Sequence, residues 1–225
     1  MTTEKMLEKV NFIIKMCDNS EYRKELDFLA ERPEVKNEFT FAGCLDALRK
    51  DLIEQITHEE AKRNGRGNAQ KIAERIIKDF GWNRPGFGAW DDVNGRQIII
   101  DSAHAVRLVE HLKLSEAKEE AKLPSVSKIF ENAEQNRGEP LELPKLSELK
   151  AKIKVDKANN KHIKKYRPFY DFGEDQPRVD AEYLAEMLEL LGESEARPAA
   201  NSPKVNVIYF TGEKGDGVLM PVHKR

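Results

Sequence analysis

Between Phe169 and Val222 the chain reads as strand, helix, strand, strand, strand, and this order limits its fold more than any other feature. Phe169-Tyr170-Asp171-Phe172 has strand character. Asp180 then stands where a helix cap is needed, its carboxylate able to accept from the free N–H groups of the first turn. Tyr183, Leu184, Met187, Leu188 and Leu191 follow at helical spacing on one face, and Gly192 closes the segment. Three strand candidates come next: Glu195–Ala200, Val205–Thr211 and Val218–Val222. Consecutive strands joined by short turns pair antiparallel, and the amphipathic helix must cover one face of the sheet they form. The expected fold class is therefore α+β.

The N-terminal half has a different texture. Leu7, Val10, Ile14 and Cys17 form one helical stripe, with Thr3 as cap, and Leu45, Leu48, Leu52, Ile53 and Ile56 form a second. Tyr22 to Leu29 lies between them, before a break at Pro33. Gly65-Arg66-Gly67 stops the second helix, and Asn68 can cap a third carrying Ile72, Ile76, Ile77 and Phe80. After Gly81 the pattern changes to a hairpin. Asn94-Gly95 is a strong tight-turn pair between Trp90 and Ile98-Ile99-Ile100, and strand character continues through Val106-Arg107-Leu108. Leu114 to Lys122 reads as a connector. A short helix around Ile129-Phe130 and a longer one from Leu146 to about Lys165 complete the pattern.

Several function classes are not expected. No apolar run approaches the ~18 residues of a membrane span, and Met1 to Met6 lacks the features of a secretory signal. Cys17 and Cys44 are the only cysteines, too few for a disulfide framework or a cysteine zinc site. A reducing, cytoplasmic setting is the expectation. His58-Glu59-Glu60 lacks the second histidine of a zinc helix, since Lys62 holds that position, and the other histidines (His104, His111, His162, His223) have no ligand spacing. Gly212 to Gly217 could suggest a phosphate loop, but a strand and not a helix follows it, so it reads as a hairpin turn. Asp101 and His104 would point to opposite faces if both lay on a strand. No nucleophile motif or P-loop appears. The chain reads as non-enzymatic, with no cofactor and no metal.

Charge is more informative in its distribution than in its sum. The 38 Lys+Arg and 40 Asp+Glu leave a net charge of −2, which seen alone disfavours nucleic acid. Yet Lys145 to Arg167 holds nine basic residues against Glu148 and Asp156. Lys150, Lys154, Lys157, Lys161 and Lys164 step by four and three, one face of a helix, and such a row can neutralise phosphates without reading sequence. A second cluster, Lys62, Arg63, Arg66, Lys71, Arg75, Lys78 and Arg84, falls on helix–Gly–helix and allows a helix-turn-helix reading. Against both stands the acidic row Glu182, Glu186, Glu189 and Glu193. For each row a solvated helix face is the plainer alternative.

The segment from Val179 to Leu191, followed by Val207-Ile208-Tyr209-Phe210 and Gly215-Asp216-Gly217-Val218-Leu219-Met220-Pro221-Val222, resembles the C-terminal end of bacterial sliding clamps, the β subunit of DNA polymerase III. Those chains close with a Tyr-Leu helix, strands and a terminal Met-Pro strand. Gly95 to Leu108 is similar to the clamp strand and its Thr-Asp turn, and Leu123 to Ile129 to the step into the last clamp domain. Ala103 stands where the family has an aromatic or His, and His104 and His223 where it has Arg. The resemblance implies DNA-clamp-like antiparallel sheets with packed helices. It divides the chain into a domain over 1–120, with a helical insertion at about 18–85, and a second over 121–225. It also implies a groove for a short hydrophobic peptide, lined by Ile100, Ser102, Ala103 and His104 from one side and Val218, Met220, Pro221, Val222 and His223 from the other. The expected partners are duplex DNA, through Lys150, Lys154, Lys157, Lys161 and Lys164, replication proteins carrying such a peptide, and further copies of the chain if a ring forms. A clamp-fold interaction module of phage or mobile-element origin that does not encircle DNA is the alternative.

Overall fold

The computed structural model describes residues 2–18, 41–83, 89–114, 126–164 and 166–222. Its chain divides into two compact units, Met1–Gly67 and Asn68–Arg225. In the first, helices α1 (Thr3–Asp18) and α2 (Phe41–Arg63) pack through the stripes that their sequences carry. Val10, Leu45 and Leu52 are buried, and Met6, Leu7 and Ile14 pack on them. Thr3 Oγ1, at the start of α1, donates to Glu59 near the end of α2 (3.3 Å), so the pair is antiparallel. Leu48 and Ile53, placed in the α2 stripe by periodicity, are instead largely exposed. Gly65 ends the turn after α2 at φ +70°, a backbone region in which glycine is favoured. The segment Tyr22–Leu29 lies outside the described residues.

The second unit holds α3 (Gly67–Asn83), β1 (Trp90–Asp91), β2 (Gln97–Ile100), β3 (His104–Leu108), α4 (Ser127–Gln135), α5 (Leu146–Asn159), β4 (Phe169–Asp171), β5 (Arg178–Asp180), α6 (Ala181–Leu191), β6 (Ser194–Pro198), β7 (Ile208–Gly212) and β8 (Gly215–Leu219). Six strands form one antiparallel sheet in the order β1-β2-β3-β8-β7-β6, while β4 and β5 pair separately. The α+β class is as expected. The boundary expected near residue 120 is not where the units divide: β3 pairs with β8 along its whole length, from His104↔Leu219 to Leu108↔Gly215. Strands from both halves of the chain complete one sheet.

That sheet is internally repeated. β7 starts 111 residues after β2 (208 against 97), and β8 starts 111 residues after β3 (215 against 104). Each three-strand meander follows a helix, α3 or α6, and the two meanders join at their last strands. Alternation along the strands gives each face its own core. Ile99, Val106, Leu108, Ile208, Phe210 and Leu219 meet α3, α5 and α6, whereas Ile98, Ala105, Tyr209 and Val218 meet α4 through Phe130 and Ala133. Helix α6 is buried on most of its circumference, with Leu184, Met187, Leu190 and Leu191 fully enclosed. Its cap is as the sequence predicts. Asp180 Oδ1 accepts from the N–H groups of Glu182 (2.9 Å) and Tyr183 (3.5 Å).

The glycine-rich segment is a hairpin, as expected, but its strand begins at Gly215, three residues before Val218. Close packing explains the glycines. A Cβ on Gly215, whose φ is +151°, would lie 2.0 Å from the Arg107 carbonyl oxygen, and one on Gly212 would lie 2.7 Å from that of Leu191. The outer edge of β6 is covered: Leu141 donates its N–H to the Ala196 carbonyl (2.8 Å) and Gly138 to that of Pro198 (2.7 Å). An edge strand so covered offers no template for unwanted pairing. No helix among the described residues is long and apolar enough to cross a membrane.

Candidate functional site

The two segments expected to line one groove, far apart in sequence, lie side by side. β3 pairs with β8, and where the ladder ends the Met220 N–H donates to the Ala103 carbonyl (2.8 Å). Val222 then donates to the Arg178 carbonyl of β5 (2.7 Å), so residues 220–222 run between the β2–β3 turn and the β4–β5 hairpin. The turn is built by Asp101. Its Oδ1 accepts from the Ala103 N–H (2.7 Å), from the His104 N–H (2.8 Å) and from His104 Nδ1 (3.0 Å). Asp101 and His104 therefore face each other. Alternation fails here because residues 101–103 are a turn and not strand, and the carboxylate folds back on its own backbone. Burial pushes the Asp101 carboxyl upward, but the His104 hydrogen bond and charge and the two N–H donors hold it below its ordinary value.

The lining residues differ in what they can reach. Met220 is 48 % exposed, Ser102 is exposed, and Ile100, Ala103 and Val222 are half-buried. Pro221 is buried. Two of the expected groove residues face inward. Val218 belongs to the core under α4, and His104 lies on the opposite face against α6, its ring 5.0 Å from that of Tyr183. In this conformation both hold the seam together from inside. His223 lies outside the described residues.

Around His104 the polar groups are incompletely matched. Its Nε2 faces Glu186 Oε2 at 3.8 Å, too long for a hydrogen bond, and both atoms are buried with no hydrogen-bond partner among the described residues. The other Glu186 oxygen is held by Arg75 of α3 at 2.5 Å. Across the sheet a second polar cluster, which the sequence reading did not single out, is fully matched. Asp216 accepts from Arg107 Nε (3.0 Å) and Nη2, from Arg96 (3.2 Å) and from the Tyr209 hydroxyl (3.0 Å), while Asp92 takes Arg96 Nε (3.0 Å). Arg107 also stacks on the Phe130 ring of α4, 3.9 Å from its centroid. Burial and the neighbouring Asp216 carboxylate push the Tyr209 phenol up to about 12. No sequence signal could have paired Arg107 with Asp216, because strand register alone brings them together.

The basic row is shorter than expected. Helix α5 ends at Asn159, where the Asn160 N–H bonds back to the Asp156 carbonyl (3.1 Å), so Lys161 and Lys164 lie beyond it. The uniform lysine spacing does not mark that end: Asn159-Asn160 favours a turn over another helical turn. Lys150, Lys154 and Lys157 remain on the helix. Lys150 pairs with Glu189 and Lys157 with Glu182 (2.5 Å), both on α6, while Lys154 is exposed and makes no ion pair among the described residues. Along α6 the acidic row is thus no open face, and Glu193, the row's last member, is exposed beyond the helix end at Leu191. Glu186 is buried against Arg75, and Glu182 and Glu189 are taken by lysines. In the other basic cluster Arg75 is already engaged, and Arg84 lies outside the described residues.

Comparison with known proteins adds no relative: no family model, no curated protein and no solved structure matches the chain.

Proposed function

We propose that the chain is a non-enzymatic, DNA-sliding-clamp-like protein that binds duplex DNA through α5 and a partner's short hydrophobic peptide at the seam between the β2–β3 turn and residues 218–222. The observation that carries the reading is the juxtaposition at that seam. The resemblance selects two segments more than a hundred residues apart, and the Met220–Ala103 hydrogen bond joins them. Met220, 48 % exposed and bonded through its N–H to Ala103, supplies an unbranched, polarisable apolar surface, which suits a peptide anchor. Lys150, Lys154 and Lys157 supply cations on one helix face for phosphate. A clamp-like architecture and self-association into a ring belong to the same proposal.

The test has two arms. A fluorescent peptide with a hydrophobic motif binds the wild-type chain and loses affinity by roughly tenfold or more in Met220→Glu, the scale of an interfacial anchor. Duplex DNA binds with a salt-dependent affinity that falls when Lys150, Lys154 and Lys157 are changed to Glu. Absence of both activities at low salt overturns the reading. Peptide binding without DNA binding, from a chain that sediments as a monomer, replaces it with the interaction module that does not encircle DNA. That second reading draws support from the pairing of Lys150 and Lys157 with α6 carboxylates.

A further inference from the structure

Lysines and glutamates along α5 and α6 are unequal partners. Glu189 keeps only 16 % of its side-chain surface exposed, against 49 % for Lys150. Asn68 of α3 also donates to Glu189 (3.1 Å), so this carboxylate has a second anchor. Burial pushes the Glu189 carboxyl upward, yet the hydrogen bonds from Lys150 and Asn68 hold it below the usual range. Glu186, one turn earlier, is fixed by Arg75. Glu186 and Glu189 are therefore built into the helical layer, whereas Glu182 is 36 % exposed against 47 % for Lys157 and is held by that lysine alone among the described residues. The ammonium groups sit at the ends of long, half-exposed stems that can swing away. Between the two paired lysines stands Lys154, exposed and without an ion pair among the described residues. From Lys150 to Lys157 the row spans about 10 Å at the helical rise.

We infer that Glu182 and Glu189 act as built-in competitors for DNA phosphate, masking the cationic face of α5 in the free protein. The inference rests on the DNA reading above. A phosphate approaching Lys150 or Lys157 must displace a carboxylate, so one ion pair is exchanged for another and few counterions are released. Lys154 alone gives the full release. Binding is then weak, with a shallower dependence on salt than three lysines would give, and it rises when the carboxylates are neutralised.

The test titrates a short fluorescent duplex with the full chain over a salt series. Glu182→Gln with Glu189→Gln is expected to tighten binding roughly tenfold, the size expected for two exposed pairs. It should also steepen the log–log salt slope by about two, near 0.9 for each lysine unmasked. The control is Glu131→Gln with Glu134→Gln on α4, across the sheet, which changes net charge equally and should leave the slope unchanged. Adding Lys150→Gln and Lys157→Gln to the unmasked variant should abolish its gain. If both glutamine pairs shift affinity alike, or the slope does not steepen, the masking inference is overturned while DNA binding stands. If no variant binds duplex at low salt, the inference and the DNA reading fall together. Urea unfolding of each variant confirms that the folded state is being compared.

Discussion

On the α4 side of the sheet, Arg107, Arg96, Asp92, Asp216 and Tyr209 bond to one another where water hardly reaches. On the helical side, Lys150 and Lys157 meet Glu189 and Glu182 from half-exposed positions. Both sets join opposite charges, but their surroundings give them different tasks. Removing one member of the buried set strands the rest in a poorly solvated place, so the set is locked. The exposed pairs keep access to water and can exchange partners at little cost. Charge that fixes a fold and charge that can meet a ligand are distinguished here by burial and not by residue type. The cluster at His104 falls between them: buried like the first set, yet with two polar atoms unmatched beside the candidate peptide seam.

The contrast breaks most visibly at Asp216. Asp216→Ala leaves Arg107 buried without its carboxylate and takes the acceptor from Tyr209, and a loss of about 3–5 kcal/mol in urea unfolding is expected. A loss under 1 kcal/mol would mean that the network is wetter than its burial implies. Next in size is a pH effect. The Tyr209 phenol is raised to about 12 in the fold against an ordinary value of 10.0, so its neutral form is favoured by folding. The associated stability is present below pH 10 and is lost as pH rises from 10 toward 12. The full effect is of order 2 kcal/mol, and Tyr209→Phe should flatten that part of the stability–pH profile. Asp180→Ala removes the α6 cap and should cost about 1 kcal/mol, read by the same unfolding assay. Smallest of all, Lys150→Ala or Lys157→Ala should change stability by less than about 1 kcal/mol, less still at high salt. A larger loss there would move these pairs into the locked class.

Much of the fold was readable because its signals are local. The cap at Asp180, the apolar face through Leu184 and Met187, the Asn94-Gly95 turn and the hairpin after Gly212 each depend on residues within a few positions of one another. The end of α5 was missed because lysines continue in step past Asn159, and charge spacing does not show where backbone hydrogen bonds stop. Asp101 was misread because alternation holds only along a strand, and the carboxylate bends the chain out of one. The adjacency of residues 103 and 220 carries no local signal, because strand register brings them together. Which residues of the seam are reachable was not legible either: Val218 and His104 sit on opposite faces of the sheet, and each face is covered by a helix distant in sequence.

The sequence by itself determined the secondary elements, the α+β class and the presence of strongly basic and acidic rows. These follow from periodicity, caps and turn residues, whose physics acts over a few residues. Tertiary structure decided that both halves of the chain share one sheet, that Arg107 is locked to Asp216, and that the acidic row of α6 is already occupied by cations from α3 and α5. A charge acts on whatever lies within a few ångströms, and only packing brings residues so distant in the chain that close.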